Sequence, residues 1–122
     1  MRDAVFVVVE IEPCVVAATT RASDRGEAGK IGLPGGKVDP GETLVQAVIR
    51  ESHEEGWDLF GVDRTPFYTQ IVDDFRVYWF KAKSAVKLDR FKEMHRIQPI
   101  AVSAEDIAKS GYGNDNAMRY FV

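Results

Sequence analysis

Three carboxylates, Glu51, Glu54 and Glu55, stand at i, i+3 and i+4 in the run Arg50-Glu51-Ser52-His53-Glu54-Glu55-Gly56-Trp57. At 3.6 residues per turn, this spacing collects them within roughly 100° of one side of a helix. Like charges so placed repel by about a few tenths of a kcal/mol per pair, so the cluster gains stability only with a cation or a proton among them. Ahead of it, Leu33-Pro34-Gly35-Gly36-Lys37-Val38-Asp39-Pro40-Gly41 carries too many glycines and prolines for more than a short extended piece. Residues 36–57 are therefore a candidate metal site.

The elements that must position this cluster can be read from its flanks. Thr43 is placed to cap a helix, with Gln46 three residues on completing a T-x-x-Q capping box. Leu44, Val45, Val48, Ile49 and Ser52 form one stripe, and Gly56 stops the helix. Glu51 and Glu55 border that stripe, whereas a merely solvated charged face lies opposite the apolar one. β-Branched and aromatic runs predict strands over 4–11 and 14–20, joined by a tight turn at Pro13. Further strands are expected over 57–62, 66–72, 75–83 and 97–102. In the third of these Val77 and Trp79 alternate with Tyr78 and Phe80, and Asp73-Asp74 supplies its hairpin turn. Ser103 opens a short helix with Glu105 and Asp106 in its first turn. Residues 22–30 and 111–115 read as loops, 88–96 as a charged connection, and 116–122 as a terminal helix.

Composition narrows the setting. A chain of 122 residues holds one domain with a real core, and a net charge of −3 argues against bulk attraction to nucleic acid or anionic membrane. The single cysteine, Cys14, precludes an internal disulfide and suits a reducing compartment. Its apolar run, Cys14-Val15-Val16-Ala17-Ala18, predicts a packed strand residue. Neither a leader pattern nor an 18-residue apolar run is present, so a cytoplasmic soluble domain is expected.

Gly36-x5-Glu42-x7-Arg50-Glu51-Ser52-x-Glu54-Glu55, followed by Gly56-Trp57, resembles the box of the Nudix hydrolase family, G-x5-E-x7-R-E-U-x-E-E-x-G-U with U aliphatic. Box and lead-in cover about a fifth of the chain. There are two departures: Ser52 replaces the aliphatic residue, and the second glycine arrives one position early. The resemblance implies an α/β (α+β) fold, the Nudix-type α/β/α sandwich with a mixed β-sheet. It implies hydrolysis of a nucleoside diphosphate-linked substrate with Mg2+ or Mn2+. Carried over by residue, Glu51, Glu54, Glu55 and the Gly35 carbonyl would hold metal. Glu51 could instead act as base, and Arg50 with Glu42 would brace helix and loop.

In the nucleotide-pool-cleaning branch a loop glutamate assists, and Glu93 stands at that place; His53 and His95 are weaker bases. The same branch suggests Arg21 and Asn114 as substrate contacts; Lys37, next to the metal loop, is a candidate phosphate contact, and Tyr112 is a candidate for base stacking or, more often for such an aromatic, core packing. The expected reaction converts a (deoxy)nucleoside triphosphate to the monophosphate and pyrophosphate. A dinucleoside polyphosphate or ADP-sugar hydrolase is the alternative, and a non-catalytic nucleotide-binding module is the rival from another class. The expected partner is a small nucleotide, with no membrane and no stable nucleic-acid binding, and the chain acts as monomer or homodimer.

Overall fold

The computed structural model describes residues 1–21 and 31–109, so the loops and helix expected over 22–30 and 111–122 lie outside the described residues. In chain order the elements are β1 (Arg2–Val8), β2 (Glu10–Glu12), β3 (Val15–Arg21), β4 (Ile31–Gly32), β5 (Gly35–Lys37) and α1 (Leu44–Glu54). They continue as β6 (Trp57–Val62), β7 (Tyr68–Val72), β8 (Phe75–Lys87), β9 (Ile97–Ser103) and α2 (Ala104–Lys109). One sheet runs β5-β1-β8-β6, with β7 also paired to β8, and the other runs β2-β3-β4 with β9 on β3. β1 lies parallel to β8 while the other pairs are antiparallel, so the first sheet is mixed.

Side chains alternate across a strand, and here both sides are covered. Ala4, Val8, Val16, Ala18, Val77 and Trp79 pack on one side with Ile107 of α2. Val5, Val7, Val9, Ala17, Trp57, Leu59 and Phe80 pack on the other with Ala47 and Val48 of α1. Burial on both faces is why β1 reads as an apolar run from Ala4 onward. The expected α/β/α sandwich with a mixed sheet is the observed architecture. The buried Trp57 indole donates to the Ala18 carbonyl at 2.8 Å, which ties the exit of α1 to β3 in the second sheet.

Three local expectations are corrected. The strand expected over 4–11 divides: β1 and β2 belong to different sheets, because the chain crosses between them at Val9. Cys14 is not a packed strand residue but an exposed turn residue with φ 63°. Its amide donates to Glu10 Oε2 at 3.1 Å, and its carbonyl accepts from Ala104 at 2.8 Å. Turn geometry after Pro13 outweighs the apolar run. In α1, Ile49 is 40% exposed, whereas Ala47, Val48 and Ser52 are fully buried. The helix packs over β1, β5 and β6, and this rotates the side carrying residues 47, 48, 51, 52 and 55 inward. That rotation carries Glu51 and Glu55 with it.

Ser52 occupies the box's aliphatic position, and its buried Oγ has no hydrogen-bond partner. An unmade hydrogen bond costs about 1–3 kcal/mol, and Ala is the better helix former. Ser52→Ala is therefore expected to stabilise the protein by about 1 kcal/mol, a rise of about 3–5 °C in Tm. A lower Tm in thermal melts would show that the hydroxyl is satisfied in solution. Among the described residues, no helix is long and apolar enough to cross a membrane.

Candidate active site

The start of α1 is fixed by its own sequence. Thr43 Oγ1 accepts the Gln46 amide at 3.1 Å, and Gln46 Oε1 accepts the Thr43 amide at 2.9 Å. This closes the capping box and sets Glu42 just outside the helix. Two turns on, Arg50 reaches back to it with Nε on Oε2 at 2.7 Å and Nη2 on Oε1 at 2.9 Å. The same guanidinium donates to Glu51 at 2.9 Å, to Glu54 at 3.1 Å and to the Lys37 carbonyl at 3.0 Å. Asp39 lies 3.4 Å from Nη2. The Arg50 hydrogen bonds hold the Glu42 carboxyl below the ordinary carboxylate range, and these acids in turn push Arg50 further up. Arg50 thereby fixes helix, loop and two of the three clustered carboxylates with one rigid fork.

The early glycine decides how the helix ends. Gly56 adopts φ 101°, a left-handed conformation, and a Cβ there would lie 2.8 Å from Pro99 Cγ. Glu55 thus becomes the C-cap, its amide shared between the Glu51 and Ser52 carbonyls. The Glu55 side chain turns inward, 5% exposed, where Oε1 accepts the Gly35 amide at 2.9 Å. Burial pushes its pKa up to about 8, opposed by the Gly35 hydrogen bond and reinforced by Glu51 and Glu93. Burial also raises Glu51, against the pull of Arg50. The Glu51 carboxylate lies over Gly36, in the space that a side chain at that position would fill.

As the side chains stand, no three acidic, His or Cys groups among the described residues enclose a point where an ion could sit. Arg50, the Gly35 amide and Lys92, whose Nζ is 3.5 Å from Glu54 Oε1, hold the oxygens instead. The donors nonetheless fit a hard divalent cation. They are all oxygen, and two of the carboxylates sit where uncompensated negative charge is penalised.

The remaining candidates divide. Glu93 is brought in: its amide donates to the Glu54 carbonyl at 3.0 Å, and its charge is felt by both Glu51 and Glu55. Its carboxylate accepts from Arg96 at 2.7 Å. Arg21, exposed at the end of β3, is near enough to draw Glu55 downward. Lys37 offers its carbonyl to Arg50, but its ammonium lies 5.9 Å from the Phe75 ring centroid, on the opposite face of β5 from Glu51. His53 and His95 are exposed, and Asn114 and Tyr112 lie outside the described residues. Sequence reasoning missed Asp39 and Lys92. Asp39 had a signal, since it stands three residues before Glu42 in the same turn, whereas nothing local marks Lys92.

A family model described as the NUDIX domain matches residues 1–120. The 8-oxo-dGTP diphosphatase of Escherichia coli (strain K12) is 54% identical over 37 residues, 30% of this chain and 29% of that protein. The MutT NUDIX hydrolase from Burkholderia pseudomallei superposes with TM-score 0.75 at 22% identity, covering 99% of this chain and 98% of that one. A structure titled ADP compounds hydrolase superposes with TM-score 0.76 at 19% identity, covering 98% and 70%. At such identities the superpositions show a shared fold.

Proposed function

This chain belongs to the NUDIX domain family, as a hydrolase acting on phosphorus-containing acid anhydrides, and we propose that it is a divalent-metal-dependent pyrophosphohydrolase of (deoxy)nucleoside triphosphates. The observation that carries this reading is the pairing of a buried acidic helix end with a glycine loop: Glu55 on the Gly35 amide, Glu51 over Gly36. Burying Glu55 beside the half-buried Glu51 costs stability, and a divalent cation held there would compensate.

In the proposed site Glu51, Glu54, Glu55 and the Gly35 carbonyl would hold Mg2+ or Mn2+. When bound, such an ion neutralises a polyphosphate and lowers the pKa of a water for attack on phosphorus. Arg50, itself anchored by Glu42, keeps Glu51 and Glu54 at fixed spacing. Glu93, whose charge is felt by Glu51 and Glu55, is the proposed acceptor of the proton that the attacking water would lose, and Arg21, whose charge is felt by Glu55, is the proposed phosphate contact. Asn114 is proposed as a base contact. The products are a nucleoside monophosphate and pyrophosphate. The triphosphate preference is supported by the 37-residue likeness to an 8-oxo-dGTP diphosphatase. A cytoplasmic setting agrees with the exposed free thiol of Cys14, and monomer or homodimer is the proposed state.

The test is a panel of nucleoside triphosphates, oxidised purine triphosphates, ADP-sugars and dinucleoside polyphosphates, with Mg2+ or Mn2+ and products separated by chromatography. Triphosphates should yield pyrophosphate, and EDTA should abolish turnover. Cleavage confined to ADP-linked substrates would overturn the triphosphate assignment. Nucleotide binding without any turnover would overturn catalysis altogether.

A further inference from the structure

We propose that Lys92 is a phosphate-binding residue that pairs with Glu54 until a divalent cation takes that carboxylate, an inference that rests on the metal-dependent reading above. Glu54 has a cation on each oxygen: Arg50 Nη1 at 3.1 Å from Oε2 and Lys92 Nζ at 3.5 Å from Oε1. The two are held very differently. Arg50 is locked by five hydrogen bonds to Glu42, Glu51, Glu54 and the Lys37 carbonyl. The Lys92 side chain is 75% exposed and extends from a loop. With its lysine end in water the pair is screened and contributes about 0–1 kcal/mol, so a doubly charged ion would displace this ammonium readily.

The backbone beneath Lys92 does not share that freedom. The Glu93 amide donates to the Glu54 carbonyl at 3.0 Å, and the Leu88 amide to the Gly56 carbonyl at 2.8 Å. The Glu93 carbonyl in turn accepts the Arg96 and Ile97 amides, each at 2.9 Å. Loop 88–96 is thus clamped to the end of α1, and a displaced Lys92 ammonium stays within one side-chain length of Glu54.

Where it comes to rest follows from charge. A phosphate bound to the same divalent cation as Glu54 would bring anionic oxygens next to that carboxylate. An ammonium 3.5 Å from Glu54 Oε1 needs only a small rotation to donate to them. Three rotatable N–H donors on a flexible stem suit that exchange of partners. Lys92 therefore acts with opposite signs, competing with the metal for Glu54 and assisting the phosphate once the metal is bound.

The opposite signs separate this role from that of a surface lysine or a structural one. The experiment is calorimetry on the full chain, first with Mn2+ alone and then with inorganic pyrophosphate added to the Mn2+-loaded protein. Lys92→Ala is expected to bind Mn2+ about two- to fivefold more tightly and pyrophosphate about tenfold more weakly. Lys92→Arg is expected to restore pyrophosphate binding to within about twofold, because a cationic donor returns. Unchanged pyrophosphate affinity in Lys92→Ala would overturn the proposal, and so would parallel loss of both affinities, which marks a structural role. If the parent itself binds no Mn2+, the metal-dependent reading has failed and Lys92 falls with it. If the parent binds both ligands and Lys92→Ala matches it, only the Lys92 assignment falls.

Discussion

Glu55→Gln is expected to abolish turnover while making the metal-free protein more stable at pH 8. The loss in kcat/KM should be about 10³-fold or more, since a charge proposed to hold the metal disappears, and with it several kcal/mol of transition-state stabilisation. The stability change comes from the burial that raises Glu55 to about 8 from its ordinary 4.5. Below pH 4.5 the group is protonated in folded and unfolded chains alike. Between the two values the unfolded chain releases its proton and the folded one retains it, so stability falls as pH rises, and above pH 8 it levels off. At about 1.4 kcal/mol per pKa unit, the decline reaches at most about 5 kcal/mol. Glutamine keeps an oxygen for the Gly35 amide and carries no charge to desolvate, so the variant should lack the slope. Denaturant melts at pH 5 and pH 8 in EDTA measure it, and saturating Mn2+ should flatten the slope in the parent as well. Equal slopes for parent and variant would mean that Glu55 is not the buried titrating group.

The second large effect is expected from a single methyl. In Gly36→Ala the new Cβ would lie 2.5 Å from Glu51 Cδ and overlap its carboxylate. One of the two must move, and the flexible side chain yields before a backbone paired to β1. Glu51 is 18% exposed in its side chain, so it can swing outward, losing its hydrogen bond to Arg50 at 2.9 Å. The protein should fold with a Tm within about 5 °C of the parent, because one exposed-side rearrangement costs about 1 kcal/mol. Its kcat/KM should fall about 10²- to 10³-fold, as displacement of a charged group by about 1 Å does elsewhere. Loss of Mn2+ affinity at preserved Tm would place the defect at Glu51. A fully active Gly36→Ala would remove Glu51 from the site.

Much of the candidate site's geometry is legible in the sequence because it depends on local spacing. The capping box of Thr43 and Gln46, the stop at Gly56 and the Glu42–Arg50 brace are all set by residues within one helix and its flanks. Strand pairing was legible where turn residues mark it, as at Asp73-Asp74 between β7 and β8. It was not legible at Val9 and Cys14, where a composition suited to strand hides a crossing between sheets and a left-handed turn. Apolar run length cannot report which sheet a strand joins.

By itself, then, the sequence determined the chemistry on offer: three carboxylates at helical spacing, a glycine loop before them and an arginine to hold them, in a family that hydrolyses phosphorus anhydrides. Those features survive any packing because covalent spacing and helical periodicity impose them. Tertiary structure decided how each group is used. The docking of α1 on β1, β5 and β6 exposed Ile49, drew Ala47 into the core and buried Glu55 on the Gly35 amide. The early Gly56 became the seat for Pro99, and loop 88–96 brought Lys92 and Glu93 to Glu54 from some forty residues along the chain. Desolvation, steric fit and long-range charge arise only once distant segments meet, so they leave no periodic trace in the order of residues.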